Sequence, residues 1–270
     1  MVASTAQSYS LNFPETDPLT TLDYDAKSRI WVLTFLAKDS PDNRLTHAFI
    51  LKGLLPALDH VERQWDAITD DGSADGGAAL ITTCLTDPKS KIYSNGLDLE
   101  KAMKDPDFFD EVLFKLYEKL LTFPIPTIAS IGGHAFAGGF GLVAAHDYRV
   151  MNGARGYLCM NEIDFGAQIP AGLMASITSK VASPTVTRKI FLEGHRLSAT
   201  EAKQDGVVDL VATAEEGYEG PAGTLKLAKE LAEKVKVKAS RDAWGSQKLV
   251  LYAPQIAILR TKHEHYMAKL

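Results

Sequence analysis

The sequence predicts an α/β fold that ends in a helical C-terminal region. Three observations carry this. Short apolar strands followed by helices recur between residues 22 and 192. A glycine run, Ala137-Gly138-Gly139-Phe140-Gly141, leads into Leu142-Val143-Ala144-Ala145-His146, which is small and apolar on all sides and reads as a buried helix. From Pro221 onward the apolar spacing is helical alone.

Residues 1–18, with Pro14 and Pro18, read as a loose N-terminal arm. Residues 22–25 and 30–35 read as the strands of a hairpin, and Ser40-Pro41-Asp42-Asn43-Arg44 as a turn. Thr46 caps a helix to about residue 69, with Phe49, Ile50, Leu54, Leu58, Val61 and Trp65 at helical spacing. Residues 78–84 are a buried strand and 91–94 a shorter one. Asn95-Gly96-Leu97-Asp98-Leu99 then turns sharply, with Gly96 permitting the turn and Asp98 bracing it. Residues 108–123 form an amphipathic helix that Pro124 and Pro126 stop, and 127–131 a buried strand. The glycine run and its helix follow. Residues 148–151 and 156–159 read as strands, 171–181 and 185–192 as helices. Ser198-Ala199-Thr200-Glu201 is a capping box that opens a helix ending near Gly206. Helices then run from residue 221 to a break near Ser240, and from 244 to 267 around Pro254. This divides the chain into an arm at 1–18, a core at 19–200 and a helical region at 201–270 whose apolar surface packs on the core or on another subunit.

Composition narrows the function. With 46% hydrophobic residues the chain can bury a substantial core, and neither its net charge of −5 nor any basic block points to nucleic acid. Cys84 and Cys159 both lie in apolar runs and read as buried, reduced thiols. No run of about 18 apolar residues predicts a membrane span. No G-x-G-x-x-G follows a strand and no Walker lysine is present, so neither NAD nor ATP is supported. The first residues lack an apolar stretch and arginines and carry Glu15 and Asp17, which disfavours secretory and mitochondrial presequences. Ala268-Lys269-Leu270 is similar to a Ser-Lys-Leu address, which implies a peroxisomal import receptor as partner and a soluble matrix location.

The candidate chemistry lies between residues 93 and 170. Glycine ahead of a helix lets the backbone approach a ligand closely and leaves helix N–H groups unpaired, a setting for a negatively charged oxygen. The N–H of Leu97, in the other glycine turn, is placed to face the same cavity. Glu162 stands alone in Leu158-Cys159-Met160-Asn161-Glu162-Ile163 and reads as a base. Small residues in a buried helix also serve packing, and a single Glu is also a common surface group, so the residues alone leave both readings open. His134 and His146 read as structural.

Five stretches in order resemble the enoyl-CoA hydratase/isomerase (crotonase) superfamily. They are Tyr93-Ser94-Asn95-Gly96-Leu97-Asp98-Leu99, Ile125-Pro126-Thr127-Ile128-Ala129, Gly132-Gly133-His134-Ala135-Phe136-Ala137-Gly138-Gly139, Glu162-Ile163-Asp164-Phe165-Gly166 and Leu197-Ser198-Ala199-Thr200-Glu201-Ala202. The resemblance covers about residues 25 to 215. It implies a spiral of ββα repeats, a C-terminal region that builds homotrimers or hexamers, and an acyl-CoA thioester substrate. It implies an oxyanion hole of the Leu97 and Gly138 N–H groups, with Ser94, Asn95, Gly96, Asp98, Ala137 and Gly139 around the substrate. The hydratases that this chain resembles carry two glutamates, one at the position of Gly141 and one at Glu162. Dienoyl-CoA isomerases resemble it too, with acids at the positions of Gly141 and Pro170. A lone acid at Glu162 is the pattern of the peroxisomal Δ3,Δ2-enoyl-CoA isomerases of plants and fungi. The expected reaction then needs no metal or redox cofactor, coenzyme A being part of the substrate.

Overall fold

A computed structural model describes residues 7–241 and 243–262. Ala268-Lys269-Leu270 and the end of the predicted 244–267 helix lie outside the described residues.

The first strands follow the alternation of the sequence. In β1 (Tyr9–Phe13) and β2 (Thr20–Asp25) every second residue turns inward, and the two pair antiparallel with Tyr9 opposite Tyr24. β1 is a correction to the loose arm expected over residues 1–18. The Tyr9 ring packs 5.1 Å from that of Tyr24, and its hydroxyl accepts a 3.0 Å bond from Trp31 Nε1. These contacts hold the strand, and Pro14 and Pro18 fall in the turn after it. β3 (Ile30–Phe35) is almost wholly buried and hands the sheet over to parallel pairing.

Thr46 Oγ1 accepts from the Phe49 N–H, as a cap should. The helix behind it opens as a wide π turn, Phe49–Leu54, before α1 (Leu55–Asp70). Pro56 has no N–H to donate back, and the turn ahead of it widens.

Three ββα repeats follow. The first is β4 (Ala79–Cys84), β5 (Ile92–Ser94), α2 (Leu99–Lys104) and α3 (Phe114–Leu121). The second is β6 (Thr127–Ile131), β7 (His134–Phe136) and α4 (Gly138–Ala145). The third is β8 (Tyr148–Asn152), β9 (Leu158–Cys159), a 3₁₀ turn at Glu162–Phe165 and α5 (Ala171–Thr178). α6 (Pro184–Leu192), α7 (Ala199–Gln204) with its capping box, and β10 (Leu210–Ala212) complete the core. The long strands make a seven-stranded sheet in the order β1-β2-β3-β4-β6-β8-β10, and the short ones a parallel sheet β5-β7-β9. The spiral expected from the sequence is present.

The C-terminal region is α8 (Gly220–Val235), α9 (Trp244–Leu251) and α10 (Ala253–Arg260). It is less separate than the division at residue 201 suggests. β10 pairs with β8, and Ala228 and Ala232 of α8 pack on Ile81, Ile128 and Val150. Alanine on that helix face lets it approach the sheet closely. Among the described residues no helix is long and apolar enough to cross a membrane.

A buried ion pair fastens α9. Lys248 Nζ donates to Asp147 Oδ1 at 2.9 Å and to the Leu120 and Phe123 carbonyls at 3.0 and 3.2 Å. Asp147 also accepts from the Thr127 N–H and from Trp244 Nε1. Both charged side chains are under one-tenth exposed, 5% and 7%. Removing one partner strands the other charge in a poor solvent. Lys248→Met is therefore expected to cost about 3 kcal/mol of unfolding free energy, read by urea titration.

Candidate active site

All strands of the small sheet run in one direction, so their C-terminal ends share one edge. There the backbone leaves the sheet three times. β5 delivers Asn95 and Leu97, β7 delivers Ala137, and β9 delivers Asn161 and Glu162. These residues line a cavity of about 280 Å³. Leu99 and Met103 of α2, Phe109 and Leu173 form an apolar wall across from them. Among the described residues that line the cavity, Glu162 is the one ionisable side chain.

The two glycine turns touch. Gly96 has φ +80°, and a Cβ there would lie 2.8 Å from the Phe136 carbonyl oxygen and 3.1 Å from Gly138 N. A Cβ on Gly139 would meet the Ser94 carbonyl oxygen at 2.3 Å. Glycine is required at both places by backbone contact. Ala137 is held at φ 50°, ψ −121°, a costly conformation for a residue with a Cβ. Its N–H donates to the Cys159 carbonyl at 2.8 Å. Among the described residues, the N–H groups of Leu97 and Gly138 meet no acceptor.

The remaining expected site residues divide into lining and support. Asn95 lines the cavity and donates to Asp42 Oδ2 at 2.9 Å. Ser94 does not reach it, because its hydroxyl donates to the Asn43 carbonyl at 2.8 Å and is fully buried. Asp98 caps α2 and pairs with Lys101 at 2.9 Å, so it braces the turn rather than facing the cavity. Gly96, Gly138 and Gly139 form the backbone behind Ala137 and Leu97.

Glu162 sits at the start of the 3₁₀ turn, 9% exposed, and its Oε2 is buried without a partner. Burial raises its pKa above the usual glutamate value, and its own backbone N–H offsets this in part. His146 is structural. Its Nε2 meets Thr82 Oγ1 at 2.8 Å and its Nδ1 the Leu142 carbonyl at 2.8 Å, and burial pushes its pKa down to about 4. Thr82 Oγ1 is also 2.6 Å from the Tyr93 hydroxyl, so one buried network joins β4, β5 and the end of α4. His134 stacks on Tyr157 at 5.6 Å and packs against Phe136, and it is not itself a lining residue. Cys84 and Cys159 are free and buried.

Comparison with known proteins fits this layout. The family model described as enoyl-CoA hydratase/isomerase matches residues 76–243. The chain belongs to the enoyl-CoA hydratase/isomerase family. A peroxisomal enoyl-CoA delta isomerase 1 of Arabidopsis thaliana is 35% identical over 161 residues, 58% of this chain and 63% of that protein's length. The peroxisomal isomerase 2 of the same plant is 32% identical over 193 residues, 68% of this chain and 77% of its own. The crystal structure of an enoyl-CoA hydratase from Mycobacterium marinum has the same crotonase fold, with a TM-score of 0.70 at 22% identity, covering 93% of this chain and 99% of that one.

Position 141 is where the resemblance to hydratases puts a second glutamate. A Cβ on Gly141 would lie 2.3 Å from Leu173 Cδ1 and 2.8 Å from the Tyr117 hydroxyl oxygen. A side chain there displaces the end of Leu173 and crowds the Tyr117 hydroxyl. Pro170, where dienoyl isomerases have their other acid, lines the cavity without a charge.

The sequence did not mark Asn161, Gln168, Met103 or Tyr117 as site residues. Tyr117 had a signal, a polar tip on the buried face that also carries Leu113, Leu116 and Leu120. The polar lining residues had none.

The raised pKa of Glu162 has a sign for stability. The folded state holds this proton more tightly than the unfolded one, so the contribution is full below the ordinary value of 4.5 and is lost as pH rises through the folded value. Glu162→Gln is expected to raise the melting temperature at pH 8 and to leave it little changed at pH 4, as read by calorimetry at both.

Proposed function

We propose that the chain is a Δ3,Δ2-enoyl-CoA isomerase that converts 3-enoyl-CoA to 2-trans-enoyl-CoA in the β-oxidation of unsaturated fatty acids. The observation that carries this is a solitary carboxylate with a free oxygen on a cavity whose other described lining is uncharged. Adding water across a double bond calls for groups that activate the water and handle its proton. Moving a double bond calls for one base that takes a proton from one carbon and returns it to another.

The steps follow from acidity. The C2 proton lies between the thioester carbonyl and the 3,4 double bond. Glu162 removes it, and the electron pair spreads over a dienolate with its charge on the thioester oxygen. The N–H groups of Leu97 and Gly138 receive that oxygen, each worth about 3 kcal/mol when fixed in advance. Gly138 opens α4, whose positive end adds to the field. Protonated Glu162 then returns the proton to C4, the double bond settles between C2 and C3, and the carboxylate is restored. The apolar surroundings that raise its pKa make it a stronger base than a solvated glutamate. The path uses no metal or redox group, and coenzyme A enters as part of the substrate. Leu99, Met103 and Phe109 offer an apolar surface for the acyl chain.

Two further readings belong to this proposal. A homotrimer or hexamer through α9 and α10 is supported by Val250 and Leu251, 76% and 67% exposed. Light scattering on the purified chain should give three or six copies, and a monomer would exclude it. A peroxisomal location is supported by its similarity to the peroxisomal isomerases 1 and 2 of Arabidopsis thaliana.

Incubation with cis- and trans-3-enoyl-CoA of several lengths should produce the absorbance of a conjugated enoyl thioester, with little hydration of 2-enoyl-CoA in parallel. Glu162→Gln is expected to lower kcat roughly a hundredfold to ten-thousandfold with the fold intact. Near wild-type turnover by that variant rules out the base, and hydration faster than isomerisation rules out the reaction.

A further inference from the structure

α4 is buried along its whole length and carries no polar side chain, yet two hydroxyls from neighbouring helices donate to its carbonyls. Ser176 of α5 donates to the Gly141 carbonyl at 2.8 Å. Tyr117 of α3 donates to the Gly138 carbonyl at 2.7 Å. The two bonds are alike in length and burial and differ in place. Gly141 lies a turn inside the helix. Gly138 is its first residue, and its N–H is the one assigned above to the thioester oxygen.

The peptide that bears that N–H joins Ala137 to Gly138, and it has an anchor on either side. Upstream, the Ala137 N–H donates to the Cys159 carbonyl at 2.8 Å. Downstream, the Tyr117 hydroxyl holds the Gly138 carbonyl. Between them Ala137 is in a strained conformation, φ 50° and ψ −121°, which relaxes unless both ends are held. Glycine at 138 and 139 has no side chain to restrict its backbone, so the restraint must come from outside the turn.

The phenol suits this task. Its side chain is fully buried, and burial together with the negative charge of Glu162 keeps it protonated, so it remains a donor when the base is ionised. Its oxygen also lies 2.8 Å from where a Cβ of Gly141 would stand, so the same group fills the space of a second acid.

We infer that Tyr117 is a positioning residue that fixes the Gly138 peptide for enolate stabilisation through its hydrogen bond to the Gly138 carbonyl. The inference rests on the proposed role of the Gly138 N–H and not on the identity of the base.

The test is Tyr117→Phe, which keeps the ring and removes the hydroxyl, with Ser176→Ala as its partner variant. Ser176→Ala removes the matched bond at Gly141, which does not flank the donor peptide. Two readouts are used. Acetoacetyl-CoA ionises to an enolate with its own ultraviolet band, so the apparent pKa of the bound ligand reports enolate stabilisation without turnover. The second readout is kcat against KM with 3-enoyl-CoA. Tyr117→Phe should raise the apparent pKa of bound acetoacetyl-CoA by about one unit and lower kcat about tenfold, with KM within twofold. Ser176→Ala should move neither. Equal effects of the two variants, or no change in the enolate band with Tyr117→Phe, overturn the inference. If wild type binds acetoacetyl-CoA as its enolate but does not isomerise 3-enoyl-CoA, the proposed reaction fails while the enolate comparison still decides Tyr117.

Discussion

The contact between two stretches of bare backbone governs this site. The loop after β5 and the turn after β7 meet through Gly96 and Gly139, where a Cβ would strike backbone carbonyl oxygens. Their separation is fixed by van der Waals radii, which side-chain rotamers cannot adjust. The network from Tyr93 through Thr82 to His146 supports this from below. Because burial keeps the His146 imidazole neutral through the physiological range, the network does not change its charge there.

Against that rigid wall the protein tolerates two unfavourable features. Glu162 is buried with one oxygen unpartnered, and Ala137 is twisted into a region that favours glycine. Each costs stability on the order of one to three kilocalories per mole. They adjoin the same cavity, whose other described lining residues are uncharged. Strain and desolvation at one cavity are features expected where stability is given up for chemistry.

Much of this was legible in the chain. Strand and helix spacing gave the α/β class, because buried parallel strands leave unbroken apolar runs such as Ala79–Cys84, while the spiral came from the family resemblance. The glycines gave the turns, since φ +80° at Gly96 leaves few other residues possible. Glu162 was visible as one charge in an apolar stretch. What escaped was local or long-range. The 3₁₀ turn that presents Glu162 has four residues, too few for a period. β1 was hidden by the prolines after it, its stability coming from Trp31 and Tyr24, far along the chain. Ser94 is a polar residue beside the site loop, and the sequence could not tell that its side chain turns to the Asn43 carbonyl, whereas the bracing role of Asp98 was legible.

The closeness of the two turns also says where evolution is free to move. In the proposed reaction Leu97 acts through its main-chain N–H, so position 97 accepts any residue but proline that fits the wall. At Gly96 and Gly139 a side chain pushes one turn away from the other. A saturation library at these positions would rank the actors as dispensable and the silent glycines as essential. Reading importance from tolerance alone would then assign the chemistry to the wrong residues.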